Sequence, residues 1–168
     1  MSFVKRRIRE LLLWLVNSFF CGTRMFGAKR RLLNACAGIT VGKGTKVVGP
    51  LRVSNCSVVT IGEDCWIGTG MTVWGDGAVT VGDRCDLAPE VSFLTGSHEI
   101  GTAERRAGAG RLYRITVGNG CWLGAKSALT NDITVGDGAV VGACALVNKN
   151  VAANTAVAGV PAKVIKEL

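Results

Sequence analysis

The sequence predicts an all-β solenoid, a chain wound into stacked coils of short parallel strands, preceded by an amphipathic helix. The first observation is a period of six. Between Ile115 and Val147 an aliphatic residue recurs at Val117, Leu123, Leu129, Val135, Val141 and Val147, and glycine follows it at Gly118, Gly124, Gly136 and Gly142. Six is neither the helical period nor the alternation of a lone strand, and it fits a unit of one flat side plus one turn. The second is composition: 48% of residues are hydrophobic but only 6% aromatic, so the core is built from Val, Ile, Leu and Ala. The third is the 23 glycines against three prolines, an excess that tight turns use.

Taken in order, residues 1–36 form a basic amphipathic helical segment and residues 37–168 the solenoid domain. Ile8, Leu11, Leu12, Leu15, Val16, Phe19 and Phe20 repeat at three and four, and Arg6, Arg9, Glu10 and Asn17 occupy the other side. The apolar run Leu11–Val16 is far shorter than the ~20 residues of a membrane span, and Phe19, Phe20 and Cys21 stand where a signal-peptide cleavage site would need small residues. Two destinations for this helix remain open: packing on its own solenoid or a neighbouring subunit, or lying through residues 1–20 on an anionic lipid surface as a peripheral contact.

Charge divides the chain at the same place. Eight of the 20 basic side chains and one of the 12 acidic ones fall within residues 1–31, so a net charge of +8 is almost all at the front. A nearly neutral solenoid is not built to grip nucleic acid along its length. Seven cysteines without a CxxC pair, and a single histidine, leave no zinc-site pattern. Cys65, Cys85 and Cys121 each fall five places into a hexad, where reduced thiols pack as small apolar groups in a cytoplasmic protein.

The hexads begin at Ile39. Val41, Val47 and Val53 make a ragged first coil, Ile61, Ile67 and Val73 follow, the pattern slips by two residues near Ala78–Thr80, and Val81, Leu87 and Phe93 resume it. Three hexads make one triangular coil, coils stack at about 4.8 Å, and about five coils fit. Sixteen residues, Glu99–Arg114, then interrupt the repeat beside the only histidine, His98; a loop that long in a compact domain is usually functional. Residues 150–168 cap the last coil, whose edge would otherwise stand unpaired.

SHEIG at 97–101, ITVGNGCWLGA at 115–125, VGACALVNK at 141–149 and AGVPAKVI at 158–165 together resemble the hexapeptide-repeat O-acetyltransferases, the galactoside, maltose, Nod-factor and polysaccharide branch. The resemblance covers roughly residues 37–168. It implies a left-handed parallel β-helix, against the right-handed habit of parallel crossovers, and a homotrimer with active sites between subunits. It also implies acetyl-CoA as co-substrate, no metal, and direct transfer to a sugar hydroxyl of a polysaccharide or glycolipid precursor.

The resemblance assigns roles residue by residue. His98 matches the general base; beside it, and apart from the resemblance, Glu99 has two readings, a carboxylate orienting the imidazole or a solvated loop charge. The Ala125 N–H stabilises the thioester oxyanion, Trp122 flanks the pantetheine arm, Ala143, Asn148 and Lys149 form the next cofactor turn, and Lys163 and Lys166 meet the nucleotide phosphates. Asp76 falls where the family carries an acidic residue touching the sugar, and Trp74 beside it is placed to stack on a pyranose; a coil-corner role stays open for both. Asn131-Asp132 replaces the family's Pro-Gly turn, and Ala152 and Ala153 replace later prolines. The short basic segment replaces the N-terminal substrate-contacting domain of the sugar enzymes, which moves the expectation toward the polysaccharide branch. Other acceptors stay open: an amino-sugar amine, an antibiotic or serine. So does a non-catalytic scaffold. One histidine excludes a three-histidine carbonic anhydrase, and Cys85, at an inward position, is a poor nucleophile.

Overall fold

A computed structural model describes residues 2–168. Two helices, α1 (Phe3–Phe19) and α2 (Phe26–Ala35), precede the solenoid. The first coil is β1 (Ile39–Val41), β2 (Lys46–Val47) and β3 (Arg52–Val53); the second is β4 (Val58–Ile61), β5 (Trp66–Ile67) and β6 (Thr72–Trp74); the third is β7 (Ala78–Val81), β8 (Asp86–Leu87) and β9 (Ser92–Leu94). A hairpin, β10 (Gly96–Ile100) and β11 (Ala107–Leu112), leaves the solenoid here. The fourth coil is β12 (Arg114–Val117), β13 (Trp122–Leu123) and β14 (Ala128–Thr130), and the fifth is β15 (Ile133–Val135), β16 (Val140–Val141) and β17 (Leu146–Val147). A partial sixth ends in β18 (Thr155–Ala158), and β19 (Lys163–Glu167) folds back on it.

Three parallel faces result: β1-β4-β7-β12-β15, then β2-β5-β8-β13-β16-β18 with antiparallel β19 covering its edge, then β3-β6-β9-β14-β17. The hexad residues Val117, Leu123, Leu129, Val135, Val141 and Val147 are all buried inside the prism. Ile39, Val59 and Val79 stack at intervals of twenty residues, whereas Ile115 and Ile133 stack at eighteen. The two extra residues of each early coil sit at the corner between the third and first faces, at Ser54–Ser57 and Gly75–Gly77, which is the two-residue slip seen in the sequence. In the later coil that corner is the tight Asn131-Asp132 turn: Asn131 takes φ 72°, which asparagine tolerates, and Asp132 Oδ1 accepts the Arg114 N–H at 2.7 Å.

α1 closes the open end of the first coil. Arg9, Leu13 and Val16 are its buried residues. The Arg9 guanidinium donates to the carbonyls of Ala37, Ser54 and Ser57, each at 2.8 Å, satisfying first-coil backbone that would otherwise end against apolar side chains. Burial lowers the pKa of both Arg9 and Lys29; Lys29 donates to the Gly22 carbonyl at 2.6 Å.

Candidate active site

The corner that carries the two extra residues also launches the hairpin. Its strands leave and re-enter across Gly75 and Gly77. A Cβ on Gly75, which sits at φ 96°, would run into the Gly96 backbone, and one on Gly77 would meet the Tyr113 carbonyl. Buried Thr95 pins the exit: its hydroxyl accepts the Gly77 N–H at 3.2 Å and donates to the Trp74 carbonyl at 3.1 Å. The interruption read from the sequence as a loop is therefore mostly an ordered ribbon, with Ser97 opposite Arg111 and His98 opposite Gly110.

His98 projects from this ribbon. Its Nδ1 lies 2.9 Å from the Gly108 carbonyl oxygen. A carbonyl only accepts, so Nδ1 carries the proton and the Nε2 lone pair is left without a partner among the described residues. Glu99 does not orient the ring: its carboxylate pairs with Arg111 at 3.1 Å. The ribbon's register shifts between His98 and Ile100, so Glu99 sits in an irregular step of the strand rather than in a regular pair. The contact that holds the imidazole is with the Gly108 backbone, not with the Glu99 expected from the sequence.

A cavity of about 790 Å³ opens beside the hairpin and is lined by Trp74, Asp76, His98, Arg111 and Thr130 among others. Trp74, Leu94 and Thr130 stack across successive coils on the third face. Asp76 Oδ1 also accepts the Cys56 N–H at 3.3 Å, which fixes its turn. Three of the sequence-predicted residues thus share one cavity. Arg111 was missed, since nothing in the run GTAERRAGAG marks which arginine turns back toward the coil.

The residues assigned to the cofactor fall into two groups. Trp122 lies on the outer second face, in register with Asp86 and Val140 and 57% exposed. Ala125 and Ala143 occupy the corner between the second and third faces on successive coils, where the Cys144 N–H donates to the Ala125 carbonyl at 2.9 Å. The N–H groups of Ala125 and Ala143 have no acceptor among the described residues. Lys163 pairs with Ala158 and Lys166 with Ala156 on the second-face edge above them. Asn148 and Lys149 instead follow β17 at the hairpin corner, where the Asn148 carbonyl accepts Asn131 Nδ2 at 3.1 Å. β14 (Ala128–Thr130) and the turns at its two ends separate the Ala125 corner from the hairpin corner of one chain.

The repeats and their spacing match known proteins. A model described as bacterial transferase hexapeptide (six repeats) matches residues 114–149, and one for the hexapeptide repeat of succinyl-transferase matches residues 58–88. Both matches fall on the coils, and they identify the six-residue units there as hexapeptide repeats. It is 33% identical over 129 residues to galactoside O-acetyltransferase of Escherichia coli K12, covering 77% of this chain and 64% of that one. It therefore spans somewhat less than two thirds of that relative's length. It is 28% identical over 144 residues to the putative colanic acid biosynthesis acetyltransferase WcaF of the same organism, covering 86% of this chain and 71% of that one. A solved structure of galactoside acetyltransferase in complex with coenzyme A superposes with a TM-score of 0.81 at 26% identity, covering 98% of this chain and 80% of that chain. A mirror-image coil would not superpose so well, so this hexapeptide-repeat chain winds in the same sense, the left-handed one that the resemblance implies.

Inside the hexapeptide-repeat coil Cys65, Cys85 and Cys121 stack, all buried, and each thiol donates to a carbonyl one coil further on, at Gly82, Gly118 and Gly136, at 3.0–3.1 Å. Cys85 is fully enclosed, and its thiol is pushed up by its interaction with the stacked Cys121 and Cys65 thiols and by burial, which makes it no nucleophile. Among the described residues no group of three or more His, Cys, Asp or Glu could hold a metal ion.

Proposed function

We propose that the chain is an acetyl-CoA-dependent O-acetyltransferase whose acceptor is a sugar hydroxyl of a cell-surface polysaccharide or glycolipid precursor. The observation that carries this reading is the Nδ1 contact of His98 with the Gly108 carbonyl, because it leaves Nε2 free on a residue that lines the same cavity as Trp74 and Asp76. Nε2 removes the proton of the acceptor hydroxyl as its oxygen bonds to the thioester carbon. The carbonyl oxygen becomes anionic against the Ala125 N–H. The carbon–sulfur bond then breaks, and the imidazolium proton passes to the departing thiolate, leaving an acetyl ester and free coenzyme A. Trp74 offers a face on which a pyranose ring stacks, and Asp76 a hydroxyl acceptor.

Base and oxyanion donor stand on different edges of one chain, so the reading sets the hairpin edge of one subunit against the Ala125 edge of the next. A homotrimer with three such clefts does this, with Trp122, Ala143, Lys163 and Lys166 on one wall and Asn148 and Lys149 on the other. The kinship with galactoside O-acetyltransferase and with WcaF supports the donor and the sugar class. Reduced thiols fit a cytoplasmic protein, in which peripheral contact with the inner face of the membrane brings it to a lipid-linked acceptor. The test is acetyl-CoA consumption against a panel of nucleotide sugars, glycolipids and free oligosaccharides. Turnover on a sugar by the wild type and not by His98→Ala is the expected result; turnover only on amines, or none on any acceptor, overturns the reading.

A further inference from the structure

α1 is mounted the unexpected way round. An amphipathic helix on a globular core turns its apolar stripe inward. Here the side against the solenoid carries Arg9, with its three carbonyl partners, and Asn17, which exchanges hydrogen bonds with the Leu51 backbone at 2.7 and 3.0 Å. Leu13 and Val16 complete that side. The outward side presents Phe3, Val4, Ile8, Leu11, Trp14 and Phe19, each 49–67% exposed. Trp14 and Phe19 pack edge to face at 5.6 Å, and the Arg7 guanidinium lies 5.2 Å above the Phe3 ring.

Cations border this apolar face. Lys5, Arg6 and Arg7 belong to α1, and Arg24, Arg30 and Arg31 follow, while the single acid of the first 31 residues, Glu10, is engaged by Arg6 and Arg7. Among the described residues no helix is long and apolar enough to cross a membrane. Exposed aromatics and leucines flanked by Lys and Arg, on a helix too short to span, are the composition of one lying in a lipid headgroup layer.

We propose that the outward face of α1 docks the protein on an anionic bilayer and that a lipid-linked acceptor reaches His98 along the adjoining groove. A second cavity, about 280 Å³, runs between α1 and the third face, lined by Leu13, Asn17, Leu51, Arg52 and Trp74 among others. Trp74 also lines the His98 cavity, so one continuous surface leads from the docked helix to the imidazole. The third coil, which launches the hairpin, lies two coils from α1, about 10 Å at strand spacing, within reach of a sugar tethered to lipid. The lipid contact stands on the helix alone; the route to His98 rests on the acetyltransferase reading. In a trimer with parallel prisms all three helices share one end, which strengthens the lipid contact through multivalency.

The test is flotation of the full-length chain with vesicles of phosphatidylcholine alone and with about one third phosphatidylglycerol. The expected result is binding to the anionic vesicles only, reduced at least about tenfold by Leu11→Glu with Trp14→Glu and also by raised salt. Arg24→Gln with Arg31→Gln, which leaves α1 untouched, is expected to weaken binding by a smaller factor. Sedimentation velocity and coenzyme A titration are run on every variant. Wild type that ignores anionic vesicles, or variants that bind as well as wild type, overturn the proposal. A changed association state in the Leu11/Trp14 variant also overturns it, by assigning the face to a second copy. Vesicle binding without coenzyme A binding leaves the docking intact and removes the enzymatic reading instead.

Discussion

The Gly108 carbonyl and His98 Nδ1, 2.9 Å apart across the hairpin, set the tautomer of the only imidazole in the chain. No side chain intervenes, so the arrangement survives changes at Glu99, which is occupied by Arg111. Glu99→Gln is accordingly expected to keep transfer within about threefold of wild type, the loss of an exposed ion pair contributing little. His98→Ala is expected to lower it by about 10²–10⁴, the usual contribution of a positioned general base. Steady-state rates with coenzyme A titrations as control check both; equal losses from the two variants would return Glu99 to the mechanism.

Gly75 holds the root of the hairpin, with φ 96° and the Gly96 backbone pressed against its open side. Gly75→Ala adds a methyl where backbone already stands and imposes a left-handed conformation on an L side chain. The expected cost is about 1–3 kcal/mol, with faster hydrogen exchange confined to residues 96–112 and the coils unchanged. Uniformly faster exchange would mean that the hairpin and the solenoid unfold as one unit.

Arg9 ties three backbone carbonyls at the first coil without a carboxylate partner. Arg9→Met keeps the stem but orphans those acceptors, and the expected loss is about 2–4 kcal/mol in urea unfolding. Arg9→Lys, with fewer and differently placed donors, is expected to recover only part of it.

Much of this architecture was legible in the sequence because a six-residue period fixes which side chains point inward: Val117, Leu123, Leu129, Val135, Val141 and Val147 are all buried. The two-residue slip near Ala78 was legible as an anomaly, although not as the longer corner that launches the hairpin. What escaped was set by tertiary contact. A helical wheel finds the apolar stripe of α1 but not the side facing the solenoid, and here three carbonyls at the first coil take Arg9 inward. The partner of His98 was invisible because it is main chain, and the assignment to Glu99 followed sequence adjacency, which could not show that Arg111 across the ribbon takes that carboxylate. Hexad counting from Ala125 and Ala143 would have placed Asn148 and Lys149 on the other edge.

Cys36, buried against α1 and the first coil, gives the stability a pH dependence. Burial raises its thiol to about 11 from the ordinary 9.0. Between those values the unfolded chain releases this proton while the folded chain keeps it, so the contribution of Cys36 is complete below about pH 9 and declines as pH rises toward 11. The slope is at most about 1.4 kcal/mol per pH unit. Cys36→Ala is less stable at pH 7 through the lost packing, and its stability is expected to fall less steeply above pH 9. Urea midpoints at half-unit steps measure the difference; parallel curves would show that Cys36 titrates alike in both states.

The separation of His98 from the Ala125 corner makes the subunit arrangement testable by mixing. His98→Ala removes the base but leaves the Ala125 edge and its lysines intact, and Lys163→Glu with Lys166→Glu does the reverse. Each variant alone is expected to be impaired, the first in turnover and the second in coenzyme A affinity. Subunits dissociated and reassembled at equal ratio place a sound hairpin beside a sound cofactor edge in about a quarter of clefts, as the head-to-tail interface of a cyclic trimer requires. Recovery to roughly that fraction of wild-type rate is the expected outcome. If both edges served one site within a single chain, reassembly would give only the average of the two parents, and the intersubunit cleft would have to be abandoned.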